Sequence, residues 1–186
     1  SEELIQNTDF AATWFELAGV KRPAKYRMDG VSLKPLFQNP HQPVREHVFC
    51  EIGAARSIKT KTHSYIALRY TKDQVRGVRE NNRRNLRAMT GLSGGVARSI
   101  ATHPQAYTAD QLYDLKRDPE ARKNLAALKR HAGILKQMQD RLTAELKRFP
   151  KRPFGEFVPG GNAIPGGHAD VFQTLTKTAI DKKKKR

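Results

Sequence analysis

Gln111-Leu112-Tyr113-Asp114-Leu115-Lys116-Arg117-Asp118-Pro119-Glu120 decides the fold class of this chain. Its first five residues read as a strand, rich in groups that suit a pleated, half-buried surface. Asp118-Pro119-Glu120 then supplies an N-cap, a proline at the first helical position and an acid near the positive helix end, which predicts a helix start. Further on, Leu135, Met138, Leu142 and Leu146 recur at three- and four-residue spacing. That stripe predicts a helix from about Ala132 to Arg148, with Lys147 and Arg148 at its negative end and Pro150 and Pro153 stopping it. Upstream, Val48, Phe49 and Ile52, then Ile58, Tyr65, Ile66, Leu68 and Tyr70, give a strand pattern broken by the polar run Lys59–Ser64. Two or more antiparallel strands are expected there. The fold class is therefore α+β, a small antiparallel sheet packed by a C-terminal helix.

The remaining segments read outward from that unit. Phe10, Trp14 and Leu17, with Phe15 and Ala18, follow helical spacing, with Thr8 available as N-cap and Gly19 at the position that favours a left-handed turn. A short buried helix is expected. Met28-Asp29-Gly30-Val31-Ser32-Leu33-Lys34-Pro35-Leu36-Phe37 holds an Asp-Gly turn, and Ser32 suits the start of a short helical turn. Residues 71–105 form a basic, glycine-containing insertion. Residues 150–186 contain the near-repeat Pro159–Ile164 and Pro165–Asp170 and end in Lys182-Lys183-Lys184-Lys185-Arg186. That tail is expected to be extended or disordered. The expected organisation is 1–45, 46–149 and 150–186.

With 186 residues the chain is long enough for one domain with a core, or a small domain with appendages. Exchanging its 5 Tyr for its 13 Gly raises the 38% hydrophobic fraction to about 42%, below the ~45–50% of an average domain. The net charge is +17, an excess that suits a polyanionic partner. It is unevenly placed: residues 1–50 carry six charges of each sign, residues 51–109 carry 11 positive and 3 negative. A single cysteine, Cys50, excludes an internal disulfide framework and a Cys-rich zinc site. No apolar run approaches a membrane span and no signal peptide opens the chain. The start at Ser1, close before a helical pattern, suggests a processed or truncated chain.

The chemistry-bearing motifs are mostly missing. There is no phosphate-cradling glycine loop, no dinucleotide fingerprint and no His-Glu-x-x-His pair. The six histidines, His41, His47, His63, His103, His131 and His168, lack ligand spacing, and the acids do not cluster as a hard cation requires, so no metal site is expected. Cys50 reads as a small buried hydrophobe, since nothing nearby lowers its pKa. Arg76, Arg79, Arg83, Arg84 and Arg87 could neutralise phosphates. No aromatic residue lies between Tyr70 and Tyr107, so a base-stacking platform is missing and nucleic acid is not the expected partner.

Three stretches, in order, resemble the C-terminal part of sulfatases, arylsulfatase-like enzymes of the alkaline-phosphatase superfamily. Thr8–Val20 followed by Met28–Leu36 is similar to the family's late helix and its DG-x-SL-x-PL turn. Ala55-Arg56-Ser57-Ile58-Lys59-Thr60-Lys61-Thr62-His63-Ser64-Tyr65-Ile66 looks like the family's strand pair. Gln111–Glu120 through Asn124-Leu125-Ala126 is close to ELYDL-x-x-DP-x-E-x-x-NLA. The departures are Ala12 for a proline, Ser64 for a lysine and Ala121 for an acid. The resemblance implies a sulfuric-ester hydrolase acting on sulfated carbohydrate, secreted or periplasmic. It also implies that residues 1–45 are the last helix and turn of a truncated alkaline-phosphatase-like α/β domain. The formylglycine nucleophile, calcium ligands and sulfate-binding groups would belong to a missing N-terminal catalytic domain, so no catalytic residue and no metal ligand is expected in this chain. Cys50 is followed by Glu51-Ile52-Gly53-Ala54, without the proline and arginine of the formylglycine motif.

The implied role of this part is packing and one wall of a substrate pocket. Glu51, Arg56, Lys59 and His63 lie on or beside the strand pair and are the candidates for meeting a sulfated sugar. For each of them surface ion pairing or strand-edge solvation is the more ordinary role. The alternative function is a free-standing basic module that binds nucleic acid or acidic polysaccharide.

Overall fold

The computed structural model describes residues 1–52 except 22, 24 and 27, then 55–69 and 108–149. The basic insertion expected at 71–105 and the tail expected at 150–186, with Tyr70, lie outside the described residues. Two compact units are distinguished among the described residues: 1–48 with 59–62, and 49–58 with 63–69 and 108–149.

In the first unit, helix α1 covers Thr8–Leu17 and helix α2 covers Lys34–Gln38. Gly19 has φ +64 just beyond α1, the left-handed conformation expected of it. Thr8 is already helical, however, and no side chain caps the helix start. Ahead of that start, the Asp9 carboxylate accepts the Gln6 amide at 2.7 Å. Ser32 Oγ accepts the Lys34 amide at 3.2 Å, and Asn39, extended before Pro40, ends α2 as its position before a proline favours. The expectation of a buried apolar helix is corrected. Phe10, Trp14 and Leu17 are 46%, 66% and 54% exposed, whereas Asp9 and Thr13 are buried.

The reason for this inversion is hydrogen bonding across about 20 residues. Asp9 Oδ1 accepts the Val31 amide at 3.0 Å and also the Arg45 guanidinium. Thr13 Oγ1 donates to the Asp9 carbonyl at 2.7 Å and accepts the Leu33 amide at 2.9 Å. Two polar residues one helical turn apart thus capture alternate amides of the 30–33 turn, satisfying buried donors that would otherwise be costly. Gly30 is required by the same contact, because a Cβ there would stand 2.1 Å from the Thr8 carbonyl oxygen.

Strands β1 (Val48–Ile52), β2 (Ala55–Lys59), β3 (His63–Leu68) and β4 (Asp110–Asp114) form a sheet in the order β1-β2-β3-β4, most of its residues in the second unit. β3 and β4 pair antiparallel, with Tyr65 opposite Leu112. Helix α3, Ala132–Leu146, follows a short 3-10 turn at Lys129–His131. Ile58, Tyr65, Ala67 and Leu112 from the strands meet Leu125 and the α3 residues Met138, Leu142 and Leu146 in one core. Leu135 packs against its margin. The α+β arrangement and the α3 stripe are as the sequence predicts.

The helix start expected at Asp118 is not formed, and α3 begins 14 residues later. Asp118 accepts the Lys123 amide at 2.7 Å, five residues ahead, which is a loop contact rather than an N-cap contact. Ala121 has φ +51, outside the helical region. The segment is a clamp on the sheet edge. Asn124 Oδ1 accepts the amides of Leu112 and Ala126, each at 2.9 Å, while its Nδ2 donates to Thr108 Oγ1 at 2.9 Å and the Asp110 carbonyl at 3.1 Å. The Leu125 amide then donates to the Leu112 carbonyl at 2.8 Å. β4 is a terminal strand, and these bonds satisfy backbone groups that an open edge would leave available.

Candidate functional site

The two acidic and basic candidates nearest the β1–β2 connection are brought together. Arg56 Nε stands 2.9 Å from Glu51 Oε2, and Arg56 Nη1 donates to the Ala55 carbonyl at 2.8 Å. The Arg56 side chain is only 14% exposed and that of Glu51 is 37% exposed. An anion approaching Arg56 has to compete with this carboxylate. Lys59 closes β2 and is exposed; His63 opens β3, half-buried, with Asp114 as its Cα partner across the ladder.

Cys50 is exposed in β1, which corrects the expectation of a small buried hydrophobe. Position 50 falls on a strand at one end of the sheet order, where burial runs out after Val48 and Phe49. Among the described residues no group of three or more His, Cys, Asp or Glu could hold a metal ion.

Apart from the motif residues Asp9 and Asn124, the polar groups with the most elaborate environments are Arg45, Tyr65, Arg69 and Asp110, for which the sequence pattern indicated no polar role. The Tyr65 hydroxyl donates to Asp110 Oδ1 at 2.5 Å, and Arg69 Nη2 donates to the same oxygen at 2.9 Å. Arg69 also donates to the carbonyls of Leu68 and Ala109. Burial, and then the Asp110 carboxylate, push the Tyr65 hydroxyl well above the usual phenol range, because both disfavour the phenolate. Tyr113 is also raised, chiefly by burial. Arg69 and Asp110 are separated by 41 positions, so their pairing ties the β3 exit to the β4 entry. Asp118 is held below the usual carboxylate range, first by the Lys123 amide and then by that of Arg122. A period-two or period-3.6 search does not reveal such pairs. The one available signal is spacing: Asp9 and Thr13 stand four apart on a helix face beside the apolar stripe.

The motif-bearing residues thus hold backbone: Asp9, Thr13 and Gly30 in the first stretch, Asp118 and Asn124 in the third. The fold is a small α+β unit. The chain resembles the C-terminal portion of a sulfatase in sequence and in fold. It is 30% identical over 137 residues to an ulvan-active sulfatase of Formosa agariphila, covering 68% of this chain and 26% of that protein. A structure solved in complex with its substrate, D-glucosamine-2-N,6-O-disulfate, is 19% identical with a TM-score of 0.50, covering 78% of this chain and 24% of that one. A 2-O GAG sulfatase is 21% identical with a TM-score of 0.45, over 75% of this chain and 24% of that one. No family model matches the chain. The chain spans about a quarter of the length of the relatives it matches.

Proposed function

We propose that this chain is the C-terminal portion of a sulfatase that hydrolyses sulfate esters of a sulfated carbohydrate, in which it contributes packing and one wall of the substrate pocket. The observation that carries the reading is the 30% identity over 137 residues to the ulvan-active sulfatase. The substrate named for the solved relative, a disulfated glucosamine, is of the same chemical class. In this reading the nucleophile and the calcium ligands belong to the part of the relatives' length that the chain does not span, and formylglycine supplies the nucleophile there. The chain's own residues bind and orient. Lys59 is an exposed cation suited to a sulfate oxygen, and His63 at the start of β3 can donate to one. Glu51 accepts hydroxyl hydrogen bonds while holding Arg56. The same reading places the protein in the periplasm or outside the cell; no helix among the described residues is long and apolar enough to cross a membrane.

The test compares residues 1–186 alone with the same residues joined to whatever is encoded in frame upstream of Ser1, using an aryl sulfate and a sulfated glucosamine as substrates. Turnover is expected only from the joined protein. Turnover by residues 1–186 alone overturns the assignment of the nucleophile to another segment, and inactivity of the joined protein toward both substrates overturns the sulfatase reading. In the joined protein, Lys59→Ala and His63→Ala are expected to raise KM for the sugar more than for the aryl sulfate. Equal KM values for wild type and both variants would remove these residues from the pocket wall.

A further inference from the structure

The loop that carries the chain from β4 to α3 holds three basic doublets, Lys116-Arg117, Arg122-Lys123 and Lys129-Arg130, against two acids, Asp118 and Glu120. All six cations are exposed, and the backbone beneath each doublet is pinned. Asp114 Oδ1 accepts the amides of Lys116 and Arg117 at 3.1 and 3.2 Å. The Asp118 carboxylate accepts the Lys123 amide at 2.7 Å and also that of Arg122. Because the Asp118 amide donates to the Asp114 carbonyl at 2.8 Å, these first two doublets belong to one run of turns. Lys129 and Arg130 lie in the 3-10 turn, which the His131 amide closes on the Leu128 carbonyl at 2.8 Å. A backbone already fixed in this way has little freedom left to lose when its side chains meet a ligand.

Little of this charge is neutralised within the loop. Arg122 pairs with Glu120, Arg117 stands 3.9 Å from Asp114 with its side chain 85% exposed, and Asp118 attracts Arg122 and Lys123. Lys116, Lys129 and Arg130 have no carboxylate partner among the described residues. Exposed pairs of this kind are weak, so the acids compete poorly with an incoming anion. Ammonium and guanidinium groups make charge-assisted hydrogen bonds to sulfate oxygens, and doublets repeated along a loop suit a ligand whose anions also repeat. No Phe, Tyr or Trp lies between Tyr113 and Phe149, so unpaired bases would find no stacking platform here. Position points the same way. His63, placed on the pocket wall above, is the Cα partner of Asp114, so the first doublet follows directly from the same end of the sheet. We infer that the three doublets form an anchoring surface for a sulfated polysaccharide, holding sugar units of the polymer other than the one whose ester is cleaved. The choice of polyanion rests on the proposed function, and the inference adds to it a second binding region that selects polymer over single sugar.

The test measures binding of residues 1–186 to fluorescently labelled heparin oligosaccharide over a series of salt concentrations. The loop variant replaces Lys116, Arg117, Lys129 and Arg130 with Ala. A second variant removes the same charge from the tail, with Ala at Lys182, Lys183, Lys184 and Lys185. The loop variant is expected to weaken Kd by about tenfold or more and to make the dependence of log Kd on log salt shallower by up to about 3. Its circular dichroism is expected to match wild type, and Lys116→Arg with Lys129→Arg to retain the affinity. An unchanged Kd overturns the inference. So does an equal or larger loss in the tail variant, since net charge rather than the loop would then decide binding. A short DNA duplex bound more tightly than heparin, and lost with the same four residues, overturns the choice of occupant. In the protein joined to the segment encoded upstream of Ser1, the loop variant is expected to raise KM for a sulfated oligosaccharide and leave KM for sulfated glucosamine unchanged. An equal rise for both would put the loop in the pocket itself and overturn a separate anchoring surface. Loop-dependent heparin binding without turnover by the joined protein fails the sulfatase reading alone, and turnover without loop-dependent binding fails the anchoring surface alone.

Discussion

Asn124 is the residue whose removal should cost the second unit most per atom deleted. Its amide makes four hydrogen bonds, accepting from Leu112 and Ala126 and donating to Thr108 Oγ1 and the Asp110 carbonyl. Leu112 is fully buried, so its amide cannot turn to bulk water when Asn124 is truncated. Four bonds at a net ~0.5–1.5 kcal/mol each give about 2–6 kcal/mol for Asn124→Ala. Partial solvation of the exposed Thr108 end brings the expected loss to about 3 kcal/mol. Asn124→Asp keeps both acceptor contacts and loses both donor contacts, so it should fall about halfway. Urea unfolding followed by far-ultraviolet circular dichroism is the suitable assay, because the only tryptophan, Trp14, reports on the first unit. With a slope near 2 kcal/mol/M, a 3 kcal/mol loss moves the midpoint by about 1.5 M at unchanged slope. Hydrogen exchange at the Leu112 amide should accelerate in parallel. If Asn124→Ala shifts the midpoint by less than about 0.3 M, or exchange at Leu112 is unaltered, the clamp does not hold the β4 edge.

Two further outcomes follow from the same geometry. The raised Tyr65 and Tyr113 hydroxyls stabilise the fold fully below the ordinary phenol value of about 10. That contribution is lost as pH rises from there toward the raised folded values, at up to about 1.4 kcal/mol per pH unit for each group. Urea midpoints at pH 9 and pH 11 should therefore differ, and Tyr65→Phe should shrink the difference; an equal drop in wild type and variant would show that Tyr65 ionises freely. Gly30→Ala forces its Cβ against backbone atoms of Thr8 and Asp9, at a cost of about 1–3 kcal/mol. Amide exchange at Val31 and Leu33 should accelerate, and unchanged exchange would refute the close approach.

What was legible in the sequence was what repeats locally. The α3 stripe names its own buried face, and the β-rich runs around Ile58, Tyr65 and Leu112 name the residues that reach the core. What was not legible is bonding at long range. Phe10, Trp14 and Leu17 have the period of a buried face, and they are turned out because Asp9 and Thr13 are tied to amides 22 and 20 positions away. Asp118-Pro119-Glu120 has every local mark of a helix start. It forms a loop because Asn124 is held by β4, 12 positions back, and the chain between them has to turn. Among the candidate site residues, the pairing of Glu51 with Arg56 was open to reading as surface pairing, and that is the contact formed. Cys50 looked inward by residue type, but strand position outweighs type at the end of a sheet.

These observations bear on what sequence similarity in this region can mean. The residues that carry the resemblance, Asp9, Thr13, Gly30, Asp118 and Asn124, are occupied by backbone groups of this chain: Asp9 by two amides and an arginine, Asn124 by two amides and a carbonyl. A side chain whose polar atoms are already satisfied is poorly placed to bind a substrate, since each new contact first breaks an old one. Those five residues are therefore evidence of a shared architecture, and substrate recognition has to be sought at other positions. Lys59 and His63 lie within the second stretch, at the last residue of β2 and the first of β3. A scaffold held by such buried hydrogen bonds can keep one fold while side chains at its strand ends change.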